Sequence, residues 1–396
     1  MDLDRCLREM VTRNASDLFL SAGAAPALKV EGETHLLDAP PLAAPEIDEV
    51  ADQLLGDEQK RAFAKAHEMN IGITRTSLGR FRVNVYRQRG NTAIAIRLVP
   101  ERIPTIEALN LPPILKDLIM LPRGLVLVVG ASGSGKSTTL AAMIDHRNRH
   151  RGGHILTIED PIEFLHHHEQ SIVDQREVGY DTTSFADALR NAMREAPDVI
   201  MIGEVRDRET MEQALIYAQT GQLCLATLHA NNANQALDRV LGFFPDTAHK
   251  QVLMDLAFNL KAVVSQRLLR NARGGRRVPA VEILLQTSHV SDLILKGDIF
   301  KLKDAMKQGI DSGMMTFEDS LLRLYHADKI TLDDALDNAD SRADLALRVR
   351  LSEPLNAMLE EKQRMDVAAQ EAPAAAESKR DMRVETVPVY PTHRRS

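Results

Sequence analysis

The stretch that decides the fold is Leu125-Val-Leu-Val-Val129, followed by Gly130-Ala-Ser-Gly-Ser-Gly-Lys-Ser137. The first part is a short run of leucine and valine between two glycines, which predicts a buried parallel strand. The residues from Thr138 to Arg149 have the composition of a helix, and Gly152-Gly153 ends it. A strand, a glycine-rich loop and a helix in this order form the context in which a P-loop pattern is informative.

The glycine spacing predicts a nucleotide-binding loop. Glycines let the backbone curl so that successive N–H groups face a phosphate, and the N-terminus of the following helix adds positive charge. We expect Lys136 to reach the β- and γ-phosphate oxygens and the Ser137 hydroxyl to hold Mg²⁺. The residues expected around the phosphates are Gly130, Ser132, Gly133, Ser134, Gly135, Lys136, Ser137 and Thr138.

Composition bounds the class of protein. A chain of 396 residues is too long for one ordinary core, so we expect two or three domains. A net charge of -7 and an aromatic content of 4% leave little for a nucleic-acid groove or a base-stacking surface. Cys6 and Cys224 are the only cysteines, and they predict buried free thiols in a reducing compartment.

The sequence has no targeting or membrane-spanning signal. Its first residues carry charge where a signal peptide needs an apolar core. No apolar stretch approaches the ~20 residues that a membrane span needs. We therefore expect a cytoplasmic protein that meets a membrane only through a partner.

The chain divides by pattern into a first unit, a linker and a larger second part. Residues 1–99 combine helices and strands, and Pro100-Glu-Arg-Ile-Pro104 predicts an interdomain linker over 100–104. Residues 105–285 alternate strands with helices, which predicts a mostly parallel sheet and an α/β fold class. Residues 250–350 are mainly helical by pattern, with 286–352 as a helical C-terminal region, and 366–396 predict a disordered tail.

The pattern also locates individual elements. The predicted helices are Leu3–Val11, Glu46–Leu55, Glu58–Ala66 and Ser184–Glu195, whose apolar face includes Met193. The predicted strands are Ala15–Leu20, Leu28–Glu31 with a turn at Glu31-Gly32, Leu125–Val129, Ile155–Ile158, Val199–Ile202 and Leu223–Thr227.

An antiparallel hairpin is predicted before the linker. The residues from Arg80 to Tyr86 alternate strictly between polar and apolar, and Thr92–Val99 returns after a bend at Gly90-Asn91. We expect its exposed face to carry Arg80, Arg82, Arg87, Arg89 and Arg97. Taken alone, such a run of charge is typical of a solvated surface.

Polar clusters follow three of the predicted strands. Glu159, Asp160 and Glu163 follow Ile155–Ile158, Glu204 follows Val199–Ile202, and His229 follows Leu223–Thr227. Ligands bind at the carboxyl ends of parallel strands, and carboxylates repel a nucleotide unless they hold Mg²⁺ or handle a proton. Glu159, Glu163 and Glu204 are therefore candidates to bind a metal's water or the attacking water. With Gly203-Glu204 where such enzymes usually have an aspartate, the Walker B motif is atypical.

Each of these clusters also has a structural alternative. Glu163 could cap a helix, and His229 could be a core histidine bonded to a backbone carbonyl. His166-His-His168 invites a metal interpretation. Without a second ligand cluster at a recognisable spacing, an exposed loop is the better prediction there.

Several ordered motifs carry a family resemblance. They are Ala15-Ser-Asp-Leu, Gly79-Arg-Phe-Arg-Val-Asn84, Pro122-Arg-Gly-Leu-Val, the P-loop, Thr157-Ile-Glu-Asp-Pro-Ile-Glu-Phe164, Gly203-Glu-Val-Arg-Asp207, Thr220-Gly-Gln and Thr227-Leu-His229. Over residues 1–350 the chain resembles the secretion and type IV pilus motor ATPases, and within them the PilT/PilU branch that powers pilus retraction. The segment Thr157–Phe164 looks like that family's Asp box, and Gly203–Asp207 looks like its Walker B. Together, Thr220-Gly-Gln and Thr227-Leu-His229 look like its His box.

The resemblance implies a PAS-like α+β N-terminal domain, a RecA-like P-loop ATPase domain with a helical C-terminal part, and a ring of six identical chains. It implies that Arg82 and Arg97 of the N-terminal domain help to complete a nucleotide site, because guanidinium groups form strong charge-assisted bonds to phosphate. The substrate is then ATP with Mg²⁺, hydrolysed at the cytoplasmic, inner-membrane base of a type IV pilus. The implied partners are an inner-membrane platform protein and a PilT-like paralogue, with no nucleic acid.

The resemblance also suggests a role for each acidic or imidazole group. We expect Glu163 to polarise the attacking water and Glu204 to hold Mg²⁺ through a water beside Ser137. The expected sensors of the nucleotide are Glu159, Asp160 and His229. The division of labour between Glu163 and Glu204 is open.

Two departures set the chain apart from PilT-type sequences. The P-loop has Ala131-Ser132 where retraction ATPases have Pro-Thr, which leaves the phosphate cradle intact. His289-Val-Ser-Asp-Leu-Ile-Leu-Lys296 lacks both arginines of the PilT segment tied to retraction. With the extended tail, this resembles the accessory PilU type.

Three other functions are consistent with parts of the sequence. A structural or coupling subunit could dock on a PilT-like ring with its own hydrolysis dispensable. A RecA-like nucleic-acid motor is disfavoured by acidic charge and few aromatic residues. A pilus assembly motor typically adds a zinc-binding cysteine cluster, which two isolated cysteines cannot form.

Overall fold

The computed structural model of the chain describes residues 1–30, 33–100 and 102–352. The predicted turn at Glu31-Gly32, the predicted tail at 366–396 and Glu101 of the predicted linker lie outside the described residues. The described strands form two sheets, with helices packed on their faces. The domain boundaries given above stay a prediction.

The N-terminal sheet is antiparallel. Its elements and their helices are α1 (Leu3–Thr12), β1 (Asp17–Leu20), β2 (Ala27–Val30), β3 (Glu33–Leu36), α2 (Ala44–Leu54), α3 (Asp57–Ala66), β4 (Glu68–Arg75), β5 (Gly79–Gln88) and β6 (Asn91–Val99). The strands lie in the order β3-β2-β1-β6-β5-β4. Phe81 and Val83 of β5 are buried in the core that α1, α2 and α3 also supply, so Arg80 and Arg82 face the other side of the sheet.

The second sheet follows. Its elements and the C-terminal helices are α4 (Ile114–Ile119), β7 (Gly124–Val129), α5 (Lys136–His150), β8 (Gly153–Glu159), β9 (Ser171–Glu177), α6 (Phe185–Ala192), β10 (Val199–Ile202), α7 (Arg208–Thr220), β11 (Leu223–Leu228), α8 (Ala233–Leu241), α9 (Asp246–Asn259), β12 (Leu260–Leu269), β13 (Val278–Leu285), α10 (Ser288–Lys296), α11 (Leu302–Gln308), α12 (Phe317–His326) and α13 (Leu332–Asp337). Residues 342–352 are also helical. The strand order is β13-β12-β7-β11-β10-β8-β9, and only β13 runs antiparallel to its neighbour.

The strand β7 is buried on both faces. Leu125 and Leu127 pack in the core that contains α6, α7 and α9, whereas Val126 and Val128 pack in the core that contains α4 and α5. This two-sided burial produces an uninterrupted apolar run in the sequence. Because β7, β8, β10 and β11 are parallel, their carboxyl ends meet at one edge of the sheet, where the P-loop begins.

The α/β fold class is confirmed, and so are the four predicted strands that became β7, β8, β10 and β11. The prediction that residues 250–350 are mainly helical is wrong over β12 and β13, which pair with each other and extend the sheet beside β7. Both strands are buried, and a short buried strand lacks the alternation that distinguishes it from a buried helix. Met193 is also misplaced by the prediction: α6 ends at Ala192, and Met193 is 42% exposed.

A buried ion pair joins the two sheets. The Nη2 atom of Arg80 on β5 lies 3.0 Å from Oε2 of Glu177 at the end of β9, and the two side chains are 16% and 8% exposed. Gly72 on β4 leaves room for the guanidinium, since a Cβ there would lie 2.9 Å from Arg80 Nη2. The prediction that Arg80 belongs to an exposed face is therefore wrong, because the sequence pattern did not reveal β9 and its acidic partner.

Two further findings concern the bulk of the chain. Cys6 and Cys224 are buried and free, as predicted, and burial raises the pKa of the Cys224 thiol. Within the described ranges, no helix combines the length and the apolar composition needed to cross a membrane.

Candidate active site

The P-loop lies between the carboxyl end of β7 and the N-terminus of α5. Gly130, Gly133 and Gly135 have φ angles of 157°, 73° and 92°, which residues with a Cβ rarely adopt. A Cβ at Gly130 would lie 2.5 Å from the carbonyl oxygen of Gln266, and one at Gly135 would lie 2.8 Å from its side-chain nitrogen. The loop therefore packs against β12 at a distance that excludes side chains.

Gln266 holds this loop in place and was not among the predicted site residues. Its Oε1 accepts a hydrogen bond of 2.7 Å from the buried Thr139 hydroxyl, one turn into α5. Gln266 thus packs against both ends of the loop: its backbone carbonyl lies against Gly130, and its side chain lies against Gly135. No sequence signal identified Gln266, because the segment that carries it was predicted as helix.

A cleft of about 600 Å³ opens beside the P-loop, at the carboxyl ends of β8, β10 and β11. This volume is in the range of small-molecule binding sites. The predicted site residues that line it are Arg97, Ser132, Gly133, Gly135, Lys136, Ser137, Thr138, Glu159, Asp160, Glu163, Glu204 and His229. Gly130 and Ser134 instead line a cavity behind the loop, and Arg82 lines a neighbouring cavity of about 610 Å³.

The Lys136 ammonium lies over the loop. Its Nζ donates hydrogen bonds of 2.9 and 3.0 Å to the carbonyl oxygens of Gly130 and Ala131. Burial lowers the pKa of Lys136, whereas the nearby carboxylates of Glu204 and Glu163 act in the opposite direction. Lys136, Glu163 and Glu204 therefore share the cleft.

Both oxygens of Glu204 have a partner. Its Oε1 lies 2.9 Å from Nε2 of His229, and its Oε2 lies 2.6 Å from Nη2 of Arg206. The bond to Glu204 raises the pKa of Arg206, whose Nη1 also lies 3.4 Å from Oδ2 of Asp160. The side chain of His229 is 49% exposed, so the alternative of a core histidine is wrong. Arg206 was missed, although it stands within the Gly203–Asp207 motif.

Glu159 is buried at the end of β8. It accepts hydrogen bonds of 2.8 Å from the Thr157 hydroxyl and 3.1 Å from the side-chain amide of Gln175 on β9. Burial raises the pKa of Glu159 to about 7, although these bonds favour the charged form. Because Glu159 is buried and bonded to Thr157 and Gln175, its position suits a structural role better than contact with bulk water.

The loop that carries Glu163 is anchored by Gln175. The Gln175 side-chain amide donates a hydrogen bond of 2.9 Å to the carbonyl oxygen of Phe164, and its Oε1 accepts one of 2.8 Å from the N–H of His166. No helix begins at Glu163, so the capping alternative is wrong. Within the described part of the chain, Glu163 forms no ion pair, and its carboxylate is exposed to the cleft.

The histidine run is not uniformly exposed. His166 lines the cleft, and its Nδ1 is buried without a hydrogen-bond partner among the described residues. Burial and the neighbouring His167 lower the pKa of His166 to about 4. The prediction of an exposed loop is therefore wrong for His166 and correct for His167 and His168.

Arginines from other elements also reach this region. Arg97 lines the cleft, and its Nε lies 2.7 Å from Oδ1 of Asp17. Burial lowers the pKa of Arg82, and Glu163 is among the charges that oppose the shift. Arg277, between β12 and β13, lines the cleft as well and was not predicted. The roles of Arg82 and Arg97 stay predictions.

The raised pKa of Glu159 makes a prediction about pH. A carboxyl with a folded pKa near 7 and an unfolded value of 4.5 holds its proton more tightly when folded, so it lowers stability progressively as pH rises through this interval. The Glu159→Gln variant should be about 3 kcal/mol more stable than the parent chain at pH 8 and about 1 kcal/mol more stable at pH 5. Urea unfolding at both pH values measures the difference, with the exposed Glu163→Gln as control. An equal difference at the two pH values contradicts the prediction.

Comparisons with known proteins identify the family of this chain. Residues 2–290 match the family model described as Type II/IV secretion system protein. The Type IV pilus ATPase PilU of Pseudomonas aeruginosa is 50% identical over 351 residues, which are 89% of this chain and 92% of that protein. The type IV pilus retraction ATPase PilT of the same organism is 39% identical over 339 residues, covering 86% of this chain and 98% of PilT.

Solved structures give the same result. A crystal structure of the pilus retraction motor PilT with bound ADP has a TM-score of 0.82 at 39% identity and covers 87% of this chain and 98% of its own. The structure of the Legionella pneumophila ATPase DotB has a TM-score of 0.74 at 26% identity, and the match covers 84% of this chain and 93% of the DotB chain. The chain therefore belongs to the Type II/IV secretion system protein family, and within it to the type IV pilus retraction ATPases.

Proposed function

We propose that this chain is an Mg²⁺-dependent ATPase that drives or assists type IV pilus retraction as a homohexamer, in the accessory role of PilU. The observation that carries the proposal is the convergence of Lys136, Glu163, Glu204 and His229 on one cleft beside the P-loop. The similarity to PilU and to PilT with bound ADP supports ATP as the substrate. The lack of both arginines in His289–Lys296 supports the accessory role.

The P-loop binds the phosphates. Backbone N–H groups around Gly133 and Gly135, together with the N-terminus of the fifteen-residue helix α5, offer donors and positive charge to an anion. Lys136 exchanges its bonds to the loop carbonyls for bonds to the β- and γ-phosphate oxygens. These groups oppose the charge of the Glu163 and Glu204 carboxylates.

The donors needed for Mg²⁺ are present. The described residues include no group of three or more His, Cys, Asp and Glu side chains placed to hold a metal. Mg²⁺ is usually bound by one or two protein oxygens together with substrate phosphates and water, which the Ser137 hydroxyl and the Glu204 carboxylate in the cleft fit. When bound, the ion neutralises charge that develops on the phosphates.

Glu163 is the group proposed to polarise the attacking water. Its carboxylate is exposed to the cleft and free of ion pairs within the described residues, whereas both oxygens of Glu204 are engaged. The water oxygen bonds to the γ-phosphorus as the bond to the ADP oxygen breaks, and the water proton passes to Glu163. The groups proposed to sense the nucleotide are Glu159, Asp160 and His229.

The N-terminal sheet is proposed to convert hydrolysis into motion. Hydrolysis rotates the N-terminal sheet of each chain against the neighbouring ATPase part across the 100–104 linker, and Arg82 and Arg97 of one chain help to complete a nucleotide site in the ring. The proposed location is the cytoplasmic, inner-membrane base of a pilus machine. The proposed partners are further copies of the chain, an inner-membrane platform protein and a PilT-like paralogue, with no nucleic acid.

Replacing the two carboxylates tests the site. Glu163→Gln and Glu204→Gln should each lower kcat for ATP hydrolysis by about 100-fold or more while ATP still binds, because the P-loop is unchanged. Only Glu204→Gln should raise the Mg²⁺ concentration that gives half-maximal turnover. The matched control is Glu195→Gln, a partly buried glutamate paired with Arg176 and outside the cleft, which should keep full activity. Full turnover in both cleft variants rejects the assignment.

A strain that carries Lys136→Ala tests the motor role against the coupling alternative. A chain without phosphate binding should fail to support retraction beyond the level of a deletion strain, whether or not the PilT-like paralogue is present. Retraction is measured as the speed of pilus shortening in single cells. Restoration to parental speed by Lys136→Ala in the presence of the paralogue favours a coupling subunit.

A further inference from the structure

A polar cluster connects the cleft to the C-terminal helices, and the proposed function does not use it. Its members are Asn232, Arg267, Lys303, Glu318 and Asp340, and we call it the Asp340 cluster. They come from the start of α8, from β12, from α11, from α12 and from the segment between α13 and the helical residues 342–352. The Asp340 side chain is 15% exposed, and that of Glu318 is fully buried.

Asp340 is the centre of this cluster. Its Oδ1 lies 2.5 Å from Nη2 of Arg267, and its Oδ2 lies 3.3 Å from Nζ of Lys303 and accepts 3.1 Å from the side-chain amide of Asn232. Burial alone raises the pKa of Asp340, but these bonds hold it below its usual value. Asp340 is therefore ionised and bonded to three elements at once.

The cluster fixes the loop that follows His229. Asn231 and Asn232 stand two and three positions after His229. Arg267 Nη2 donates 3.3 Å to the carbonyl oxygen of Asn231, while the Asn232 side chain caps α8 by accepting 3.0 Å from the N–H of Gln235. Asp340 thus holds the backbone through Arg267 and the helix cap through Asn232.

The same loop places the His229 side chain beside Glu204. Ala230 is buried, and the residues after it are held both by the Asp340 cluster and by two other side chains: Gln235 Oε1 accepts 3.2 Å from the N–H of Asn231, and Glu282 Oε1 accepts 2.8 Å from the N–H of Ala233. The His229 side chain is 49% exposed, and its Nε2 lies 2.9 Å from Oε1 of Glu204. The position of the His229 backbone therefore affects whether its ring can reach Glu204.

We infer that Asp340 is a positioning residue for the His229–Glu204 pair, supplied by the C-terminal helices. The inference rests on the proposed function, in which that pair takes part in hydrolysis. Arg267 lies between Gln266, which contacts the P-loop, and Leu268, which lines the cleft. The phosphate-binding loop is nevertheless held by Gln266 and Thr139, so the effect of Asp340 falls on kcat and not on nucleotide binding.

Steady-state ATPase kinetics of Asp340→Asn test the inference. The substitution keeps the shape of the side chain and removes its charge. We expect kcat to fall by about tenfold with KM for ATP unchanged, since residues within one hydrogen-bond network are strongly coupled. The matched control is Asp319→Asn, because Asp319 is also 15% exposed and paired with an arginine, Arg348, but does not touch the His229 loop. The control should keep parental kcat.

A second variant protects the test against loss of folding. Asn232→Ser keeps a residue that caps helices well but removes the amide that donates to Asp340. All cluster charges remain in this variant, and we expect the same direction of change in kcat with KM unchanged. Parental kcat in Asp340→Asn and Asn232→Ser overturns the inference.

A double-mutant cycle identifies the route. In a His229→Ala background, Asp340→Asn should cause no further loss of kcat, because the group that it positions is absent. If Asp340→Asn lowers kcat by the same factor in the parent chain and in His229→Ala, the inference is overturned. Parental kcat in His229→Ala alone instead rejects the proposed role of His229. A reduced kcat in His229→Ala with parental kcat in Asp340→Asn rejects only the role of Asp340.

Discussion

The site depends on a balance of charge around the Lys136 ammonium. Two carboxylates, Glu163 and Glu204, face a cleft that is proposed to take a triphosphate, and alone they would repel it. Lys136 and the N-terminus of α5 supply the opposing positive charge, and Arg206 forms an ion pair with Glu204, whose other oxygen lies 2.9 Å from His229 Nε2. The acidic groups that are proposed to bind the metal and activate the water are therefore compatible with an anionic substrate.

Packing explains why these groups meet. The parallel strands β7, β8, β10 and β11 end at one edge, and each is followed by one polar motif. Gln266 of β12 packs against the P-loop and bonds to Thr139, and Gln175 anchors the loop that carries Glu163. Asp340 accepts a hydrogen bond from Asn232 in the loop that follows His229. Three buried or half-buried polar side chains from different parts of the fold thus support the three motifs that touch the cleft. The Arg80–Glu177 pair adds a fixed contact between the two sheets.

The predictable part of this site is the part with local sequence signals. The glycine spacing, the run Leu125–Val129 and the polar residues after each strand were sufficient to bring the P-loop, Glu163, Glu204 and His229 together. The supports were not predictable, because Gln175 and Gln266 act across the sheet from strands that the pattern did not reveal. Burial of Arg80 and His166 likewise depends on partners that are distant in sequence.

The most direct test of the account is a crystal structure of the chain with Mg²⁺ and a non-hydrolysable ATP analogue. The account predicts β- and γ-phosphates in the P-loop, with Lys136 Nζ and the Ser137 hydroxyl directed at the triphosphate and its metal. It also predicts the Glu163 carboxylate within one water of the γ-phosphorus, about 3 Å from that water. Phosphates bound elsewhere, or a γ-phosphate remote from both Glu163 and Glu204, contradict it.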